Sequence, residues 1–352
     1  MNTKAQVTHP AEEKELFHTS DPSPRHGIQH ILVCLDGATD SAICIASALS
    51  LANTFDSTVT LVHVMQHHDD GFGPHTTDAL GWEITRQEAK ARLEQVQQEA
   101  AQKSGRRIGV RLEQGAPAKR IVALSRKLGS DLVVLGSHEQ SDHPTWQLGC
   151  TAQQVLAASR SSVLIARGNG APPTFVPPKR ILVPLDGSPR TESVLPTAEI
   201  IAQVHGAQLV LVHIVAEPLR TGILSTPEDL QLARDLATRL EAQASRYLEA
   251  LRHHVGFDKT QVVTHVERQP DKRQFLVELA AREKIDLIVL SAHGATCNPA
   301  RPFGSMTAHL LTHSKVPLLI LQDLPKSELP CHSESGERYA PPLRGTYPPD
   351  IA

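Results

Sequence analysis

The stretch ILVCLDG at residues 31–37 returns as ILVPLDG at residues 181–187. A second stretch, LVHV at residues 61–64, returns as LVHI at residues 211–214, at the same offset of 150 residues. Two separated motifs that repeat at one offset indicate duplication of a whole folding unit. Each functional candidate in one copy can therefore be compared with the residue at the same place in the other.

Proline-rich and polar stretches divide the chain. We expect a disordered leader at residues 1–26, a first domain (domain 1) at 27–168, a linker at 169–178, a second domain (domain 2) at 179–324 and a disordered tail at 325–352. The leader, linker and tail hold too few apolar residues to offset chain entropy by burial. Each domain is long enough to build a hydrophobic core of its own.

The composition is that of a globular protein. Hydrophobic residues make up 40% of the 352 residues, and the formal net charge is −3. This charge offers no basic surface for nucleic acid and no cationic face for a membrane. No apolar run approaches the roughly 20 residues of a membrane span. The N-terminal segment lacks the apolar core of a signal peptide, so we expect a cytoplasmic protein.

The residue types that bind metals do not form a convincing site. The five cysteines lack C-x-x-C spacing and predict neither a disulfide framework nor a zinc site. Residues 67–75 contain three histidines and two aspartates, which are suitable metal ligands. This segment has no counterpart in domain 2 and is a poor preformed cage. We therefore expect no functional metal site.

Short apolar runs alternate with helical patterns in both domains. Residues such as Leu236, Leu240, Leu248 and Leu251 fall on one face of a helical period, together with Tyr247. Strands that are apolar on both faces belong in a parallel sheet covered by helices on each side. The sequence predicts an α/β fold of two tandem doubly wound, five-stranded parallel-sheet (Rossmann-like) domains. The predicted strands lie at residues 31–35, 58–64, 108–113, 131–136 and 162–166, and at residues 181–185, 208–214, 261–266, 286–291 and 317–321.

The loops after strands one and four are the predicted site of function. In doubly wound sheets, ligands bind beyond the carboxyl ends of the strands, where the strand order reverses. Strand one is followed by Asp36 in domain 1 and by Asp186 in domain 2. After strand four, the sequences LGCT at 148–151 and FGSM at 303–306 lead into helical patterns.

The spacing of these loop residues resembles that of the universal stress protein family. Nucleotide-binding members of the family carry G-x2-G-x9-G-[S/T] after the fourth strand. Domain 2 has Ser291-x2-Gly294-x9-Gly304-Ser305, which matches the spacing throughout and the residue type at three of the four positions. The resemblance covers both domains. It implies an adenine nucleotide alpha hydrolase-like fold that binds ATP, ADP or AMP, with Mg²⁺ when ATP is bound.

The resemblance also implies roles for individual residues. Asp186 would contact the ribose, and the main chain around Ile214 would hold the adenine edge. Gly294 and Gly304 would let the backbone approach the phosphates closely. A helix that begins at Ser305 would direct its unpaired N–H groups at the anion, and the Ser305 hydroxyl would add a donor.

Three further residues of domain 2 are candidates by position. Gly187 follows Asp186, His293 lies in the loop after strand four, and Arg301 lies three residues before Gly304. For His293, a ligand contact stands beside the alternative of a hydrogen-bonded loop histidine. For Arg301, the alternative is a solvated loop arginine.

Domain 1 departs from the pattern where phosphates would lie. Its frame reads Gly136-x2-Glu139-x9-Gly149-Cys150, so a carboxylate replaces the second glycine and a thiol replaces the hydroxyl donor. A like charge about 4 Å from a phosphate costs about 1 to 4 kcal/mol. We expect nucleotide to bind mainly in domain 2. The rest of the degenerate site in domain 1 consists of Asp36, Val64 and His138.

Three functions remain open on the sequence. The first is a stress-response protein that binds a nucleotide and acts through ligand-dependent conformation or partner binding. The second is an interaction scaffold that binds no nucleotide, and the third is slow ATP hydrolysis. The sequence contains no G-x4-G-K-[S/T] phosphate loop, and Asp186 is the one acid that the pattern places at the site. We therefore predict no catalytic residue.

The fifth strands indicate how the two domains associate. Residues 163–166 and 318–321 are too apolar for an open sheet edge. In the family's strand order the fifth strand lies at that edge, and similar family domains dimerise through it. We therefore expect the two domains to pair within one chain. A homodimer of whole chains and the protein partners are left open by the sequence.

Overall fold

The computed structural model describes residues 27–36, 41–66, 79–137, 148–167, 177–216, 226–254, 261–295 and 301–322. In domain 1, strands and helices alternate along the chain. They are β1 (His30–Leu35), α1 (Ser41–Phe55), β2 (Thr58–Met65), α2 (Ala79–Ser104), β3 (Ile108–Gln114), α3 (Pro117–Leu128), β4 (Leu132–Ser137), α4 (Cys150–Ala158) and β5 (Ser162–Arg167).

Domain 2 repeats this order, with one additional short helix after its first strand. Its elements are β6 (Arg180–Pro184), α5 (Pro189–Glu192), α6 (Leu195–His205), β7 (Gln208–Ala216), α7 (Pro227–His254), β8 (Val262–Gln269), α8 (Lys272–Arg282), β9 (Leu287–Ser291), α9 (Ser305–His313) and β10 (Leu318–Leu321). Each strand predicted from the apolar runs is present, with ends that shift by at most three residues.

The ten strands form one sheet in the order β3-β2-β1-β4-β5-β10-β9-β6-β7-β8. Within each domain, neighbouring strands are parallel. The chain order reverses between β1 and β4 in domain 1, and between β6 and β9 in domain 2. This arrangement confirms the predicted fold of two doubly wound domains, and it locates the switch point of domain 2 between β6 and β9.

The two halves of the sheet join through their fifth strands. β5 and β10 are antiparallel, with Leu318 opposite Ile165 and Leu319 opposite Leu164. All four side chains are buried. The predicted pairing of the two domains within one chain is therefore present, and it covers both apolar edges.

Successive strand residues contact helices on opposite sides of the sheet. Ile31 and Val183 belong to one hydrophobic cluster, and Leu32 and Leu182 belong to the other. Each cluster contains residues of both domains, so the core runs without interruption through the whole sheet. Among the described helices, none combines the length and the apolar character that a membrane crossing requires.

The long helix α7 differs from the predicted pattern. Leu248 is fully buried as expected, but Leu236 and Leu240 are 55% and 43% exposed. Ala237 and Ala244 occupy the buried face in their place. Small side chains at those positions allow the helix to lie close to the sheet, and the two leucines then fall on its flank.

Candidate functional site

The loop after β6 folds around the carboxylate of Asp186. Asp186 Oδ1 accepts hydrogen bonds from the Ser188 N–H at 3.0 Å, from Ser188 Oγ at 2.6 Å and from Thr191 Oγ1 at 2.8 Å. Gly187 has a φ of 82°, in the left-handed region that favours glycine. Ser188 also caps α5 by accepting the Thr191 N–H. Residues of this short turn therefore hold the carboxylate in place.

Asp186 also joins this loop to the loop after β9. Its Oδ2 atom accepts a hydrogen bond from the Ala295 N–H at 2.8 Å. A Cβ atom on Gly294 would lie 2.5 Å from the same oxygen, so a side chain at this position would displace the carboxylate. The structure brings Asp186 and Gly294, two of the predicted site residues, into direct contact.

Hydrogen bonding lowers the pKa of the Asp186 carboxyl group. Burial by itself raises the pKa of this carboxyl group, because it disfavours the charged form. The hydrogen bonds from Ser188, Ala295 and Thr191 outweigh burial and hold the pKa below its usual value. Asp186 is therefore an anionic acceptor at the mouth of the site.

Ser291 and His293 shape the loop after β9 from inside. Ser291 Oγ donates to the His293 carbonyl, and both residues are buried. The His293 ring bonds through Nε2 to the Arg301 carbonyl at 2.9 Å. This ring position favours the alternative that His293 is a hydrogen-bonded loop histidine. Its ring then holds the two ends of the loop together. Arg301 itself is exposed.

The amino end of α9 lies at the end of this loop. Gly304 is the N-cap residue and, as a glycine, offers no side chain to cap the helix. The Gly304 N–H donates to the Ala292 carbonyl at 2.8 Å, and Thr307 Oγ1 donates to the Ser291 carbonyl at 3.0 Å. These two bonds fix the start of α9 against the end of β9. Ser305, the first helical residue, is exposed.

The main chain of β7 extends past its pairing with β6 at Ile214. The β6–β7 pairing ends at Pro184 and Val212, with one further hydrogen bond from the Leu185 N–H to the Val212 carbonyl. β7 continues to Ala216, so Ile214 lies past the end of β6. Alternate residues of a strand direct their backbone groups to the same side. Ile214 therefore directs its N–H and carbonyl to the side of β6, as Val212 does, while its side chain is buried.

The sequence patterns missed several residues that support the site. Ser188 and Thr191 hold Asp186, and their arrangement beside a proline is an N-cap signal that sequence reading can detect. Tyr247 on α7 donates from Oη to Glu192 Oε1 at 2.9 Å. Burial and Glu192 raise the pKa of Tyr247, so its hydroxyl stays a donor. The Tyr247 contact depends on tertiary packing and leaves no sequence signal.

The described residues of domain 1 reproduce the scaffold of the site. Gly149 caps α4 with nearly the same backbone angles as Gly304, and Cys150 is the exposed first residue of that helix. Gly136 lies at the end of β4, and Val64 lies near the end of β2. Asp36 follows β1 and is exposed. The predicted positions His138 and Glu139, and the histidine-rich residues 67–75, lie outside the described residues.

Metal-binding side chains do not converge within the described ranges. No group of three or more histidine, cysteine, aspartate or glutamate side chains there has the geometry to hold a metal ion. The chemistry of the site in domain 2 is therefore that of a helix start, two glycines and one anchored carboxylate. This arrangement suits a ligand with an anionic group at one end and hydroxyl donors at the other.

Comparisons with known proteins agree with this architecture. Universal stress protein MJ0531 of Methanocaldococcus jannaschii is 25% identical over 138 residues, which are 39% of this chain and 81% of that protein. The crystal structure of a universal stress protein from Archaeoglobus fulgidus DSM 4304 has a TM-score of 0.60 at 17% identity, over 84% of this chain and 98% of that chain. The structure of PA1789 from Pseudomonas aeruginosa PAO1 has a TM-score of 0.58 at 15% identity, over 86% and 94% of the two chains.

The sequence model of the "Universal stress protein family" matches this chain twice. The matches cover residues 27–167 and residues 177–322, one in each half of the sheet. Together they span well over half of the chain. The chain therefore belongs to the universal stress protein family, with two copies of the family domain in tandem.

Proposed function

We propose that this chain is a stress-response protein that binds ATP or a related adenine nucleotide in domain 2. Ser291 and His293 would act by holding the loop, because both are buried and bonded to it. The remaining members of the proposed site face the ligand, and they are Asp186, Gly187, Ile214, Gly294, Arg301, Gly304 and Ser305.

The observation that carries the proposal is the amino end of α9. The first N–H groups of a helix have no partner within the helix, and the N-cap residue here is a glycine, which has no side chain to cap them. A helix start of this kind favours a phosphate through its N–H donors and its dipole. An added Cβ atom at Gly304 would only make ordinary contacts with the backbone of the loop after β9, whereas one at Gly294 would displace the Asp186 carboxylate.

The other end of the site has groups that suit a nucleoside. Asp186 is ionised and keeps lone pairs that can accept from ribose hydroxyls. The backbone N–H and carbonyl of Ile214 form a donor and acceptor pair beyond the end of β6. Such a pair matches the edge of an adenine ring. When ATP binds, Mg²⁺ would enter on the phosphate oxygens and neutralise part of their charge.

The site supports binding rather than turnover. Asp186 already accepts four hydrogen bonds, and its lowered pKa makes it a weak base for activating water. We therefore propose that nucleotide occupancy alters the loop after β9, and through it the conformation or the partner binding of the protein. Slow ATP hydrolysis is the alternative that multiple-turnover phosphate release would reveal.

Titration of the full chain with Mg-ATP, ADP and AMP by isothermal calorimetry tests the proposal. We expect one nucleotide per chain, loss of binding in Gly304→Glu and near-normal binding in the matched variant Gly149→Glu. The added carboxylate would lie beside the phosphates only in the first variant. Two equal sites, or loss of binding in Gly149→Glu alone, would contradict the assignment to domain 2.

An interaction scaffold without a nucleotide is the second candidate. Both hydrophobic clusters run through both domains, so the fold has a complete core that needs no ligand. Denaturation of the purified protein and chromatography of the supernatant separate the two candidates. Released adenine nucleotide supports the binding function, whereas its absence together with a flat titration supports the scaffold.

A further inference from the structure

A buried arginine of domain 1 reaches the helix that begins at the proposed site. Arg167 is the last residue of β5 and is 2% exposed. Its Nη2 atom donates to the Leu311 carbonyl at 2.7 Å. Leu311 lies in the last turn of α9, so this hydrogen bond crosses from domain 1 to domain 2.

The hydrogen bond from Arg167 gives a partner to the Leu311 carbonyl, which the helix itself leaves unpaired. The last four carbonyls of an α-helix have no partner within the helix. The Ser314 N–H reaches the Leu310 carbonyl, and Arg167 supplies the donor for Leu311. Burial lowers the pKa of Arg167 to about 10, which leaves the guanidinium protonated at neutral pH. A cation at this end of α9 is favoured by the helix dipole.

The corresponding helix of domain 1 is capped by its own domain. In α4, the Ala158 carbonyl accepts a hydrogen bond from Arg126 Nη2 at 3.4 Å, and Arg126 lies on α3. Gly149 and Gly304 set an offset of 155 residues between the domains in this region. At that offset, the position of Arg126 is occupied in domain 2 by Ala281.

The reverse contact, from domain 2 to domain 1, has a different chemistry. At the same offset, the counterpart of Arg167 is Gln322. The Gln322 N–H donates to Ser162 Oγ at 3.1 Å, so this residue bonds the neighbouring strand through its backbone. Among the described residues, the contact of Arg167 with α9 therefore has no counterpart from domain 2 to α4, because domain 2 has alanine in place of Arg126 and domain 1 supplies the arginine.

We propose that Arg167 is a positioning residue for the nucleotide site of domain 2. It holds the carboxyl end of α9, which at nine residues is about 13 Å long, and thereby keeps the N–H groups after Gly304 aligned with the phosphates. The inference rests on the proposed function. It assigns to domain 1, whose own phosphate frame is degenerate, the role of setting the affinity of the other domain.

The test compares full-length Arg167→Met with Gln322→Met as the matched control. We expect the Kd for Mg-ATP to rise about three- to tenfold in Arg167→Met, to recover largely in Arg167→Lys and to stay unchanged in Gln322→Met. Hydrogen exchange without nucleotide should become faster for the amides of α9 in Arg167→Met alone. The amides of α4 serve as the internal reference. If Arg167 contributed only to global stability, the substitution would change neither the affinity for Mg-ATP nor the exchange of the α9 amides relative to those of α4.

Two outcomes decide the inference. Wild-type affinity and wild-type α9 exchange in Arg167→Met would overturn it. If the wild-type chain binds no nucleotide, the proposed function fails, and faster exchange confined to α9 still supports the arginine as the support of that helix. If Arg167→Met does not fold, Arg167→Gln, which keeps an N–H donor without the charge, is judged by the same two measurements.

Discussion

At the scale of single residues, the two glycines of the proposed phosphate frame differ in how strictly the fold requires them. Gly294 is needed by the protein itself, because a Cβ atom there would lie 2.5 Å from Asp186 Oδ2. At Gly304 the nearest atom to an added Cβ is 3.5 Å away, which is an ordinary contact. The fold therefore tolerates a Cβ atom at Gly304, whereas at Gly294 it requires glycine to keep the Asp186 carboxylate in place.

This difference predicts unequal effects of alanine at the two positions. Gly294→Ala should break the hydrogen bond from Ala295 to Asp186, lower the free energy of unfolding by about 1 to 3 kcal/mol and weaken nucleotide binding at least about tenfold. Gly304→Ala should cost no more than about 1 kcal/mol, as for alanine at an N-cap, and Gly149→Ala should match it. Urea unfolding gives the comparison. Equal stability of Gly294→Ala and Gly304→Ala would refute it.

The sequence predicted where the candidate site residues lie better than it predicted their contacts. The spacing picked out Asp186, Gly294 and Gly304 because their loop positions follow from the strand ends. The hydrogen bond between Asp186 and Ala295 joins residues 109 positions apart, so it depends on the relative placement of two strands. The inward direction of His293 likewise depends on the loop conformation, which residue types alone do not determine.

At the scale of helices and strands, the duplicated domains offer matched comparisons. Asp271 is the N-cap of α8, and its carboxylate accepts the N–H groups of Arg273 and Gln274. The equivalent N-cap of α3 is Ala116, which has no side-chain cap. Both positions have extended backbone angles, so the same helix start exists with and without its cap.

The missing cap predicts opposite changes in the two domains. Asp271→Ala should lower the free energy of unfolding by about 1 kcal/mol, because two N–H groups lose their acceptor. Ala116→Asp should raise it by a similar amount, since the carboxylate also favours the positive end of the helix dipole. Thermal and urea unfolding of the two single variants check the signs. A stabilising Asp271→Ala would contradict the account.

Strands were predictable from sequence in a way that helix faces were not. Buried parallel strands are continuous apolar runs, so the sequence predicts their ends to within a few residues of those in the structure. In α7, the leucines at 236 and 240 suggested the buried face, but alanines occupy it. Helix burial depends on how closely the helix approaches the sheet, and only the packed structure determines that distance.

At the scale of the whole molecule, the two domains also contact each other through helices. His205 ends α6, and its Nε2 atom lies 3.2 Å from both Ser50 Oγ and Thr54 Oγ1 of α1. Burial lowers the pKa of His205 from the ordinary value of 6.5. The folded protein therefore prefers the neutral ring at this contact between the domains.

This preference predicts a pH dependence of stability. The unfolded chain binds a proton at His205 more readily than the folded chain, so the contribution of His205 is complete above about pH 6.5 and is lost as the pH falls through the folded-state pKa. Urea unfolding at pH 8 and pH 5.5 should show a smaller loss of stability for His205→Gln than for the wild type. Identical losses in the two proteins would exclude this role.

Because β5 and β10 pair in antiparallel orientation, the loops that follow the strands of each domain lie at one of two opposite ends of the molecule, which we call its poles. The carboxyl ends of the strands point one way in domain 1 and the opposite way in domain 2, so the two sets of loops face away from each other. Under the proposed function, only the pole that carries Gly294 and Gly304 changes with the nucleotide. If a partner binds at the pole of Gly149, ligand exchange at the other pole would leave its contacts unchanged. The tandem chain would then serve as an adaptor that senses at one end and remains constant at the other.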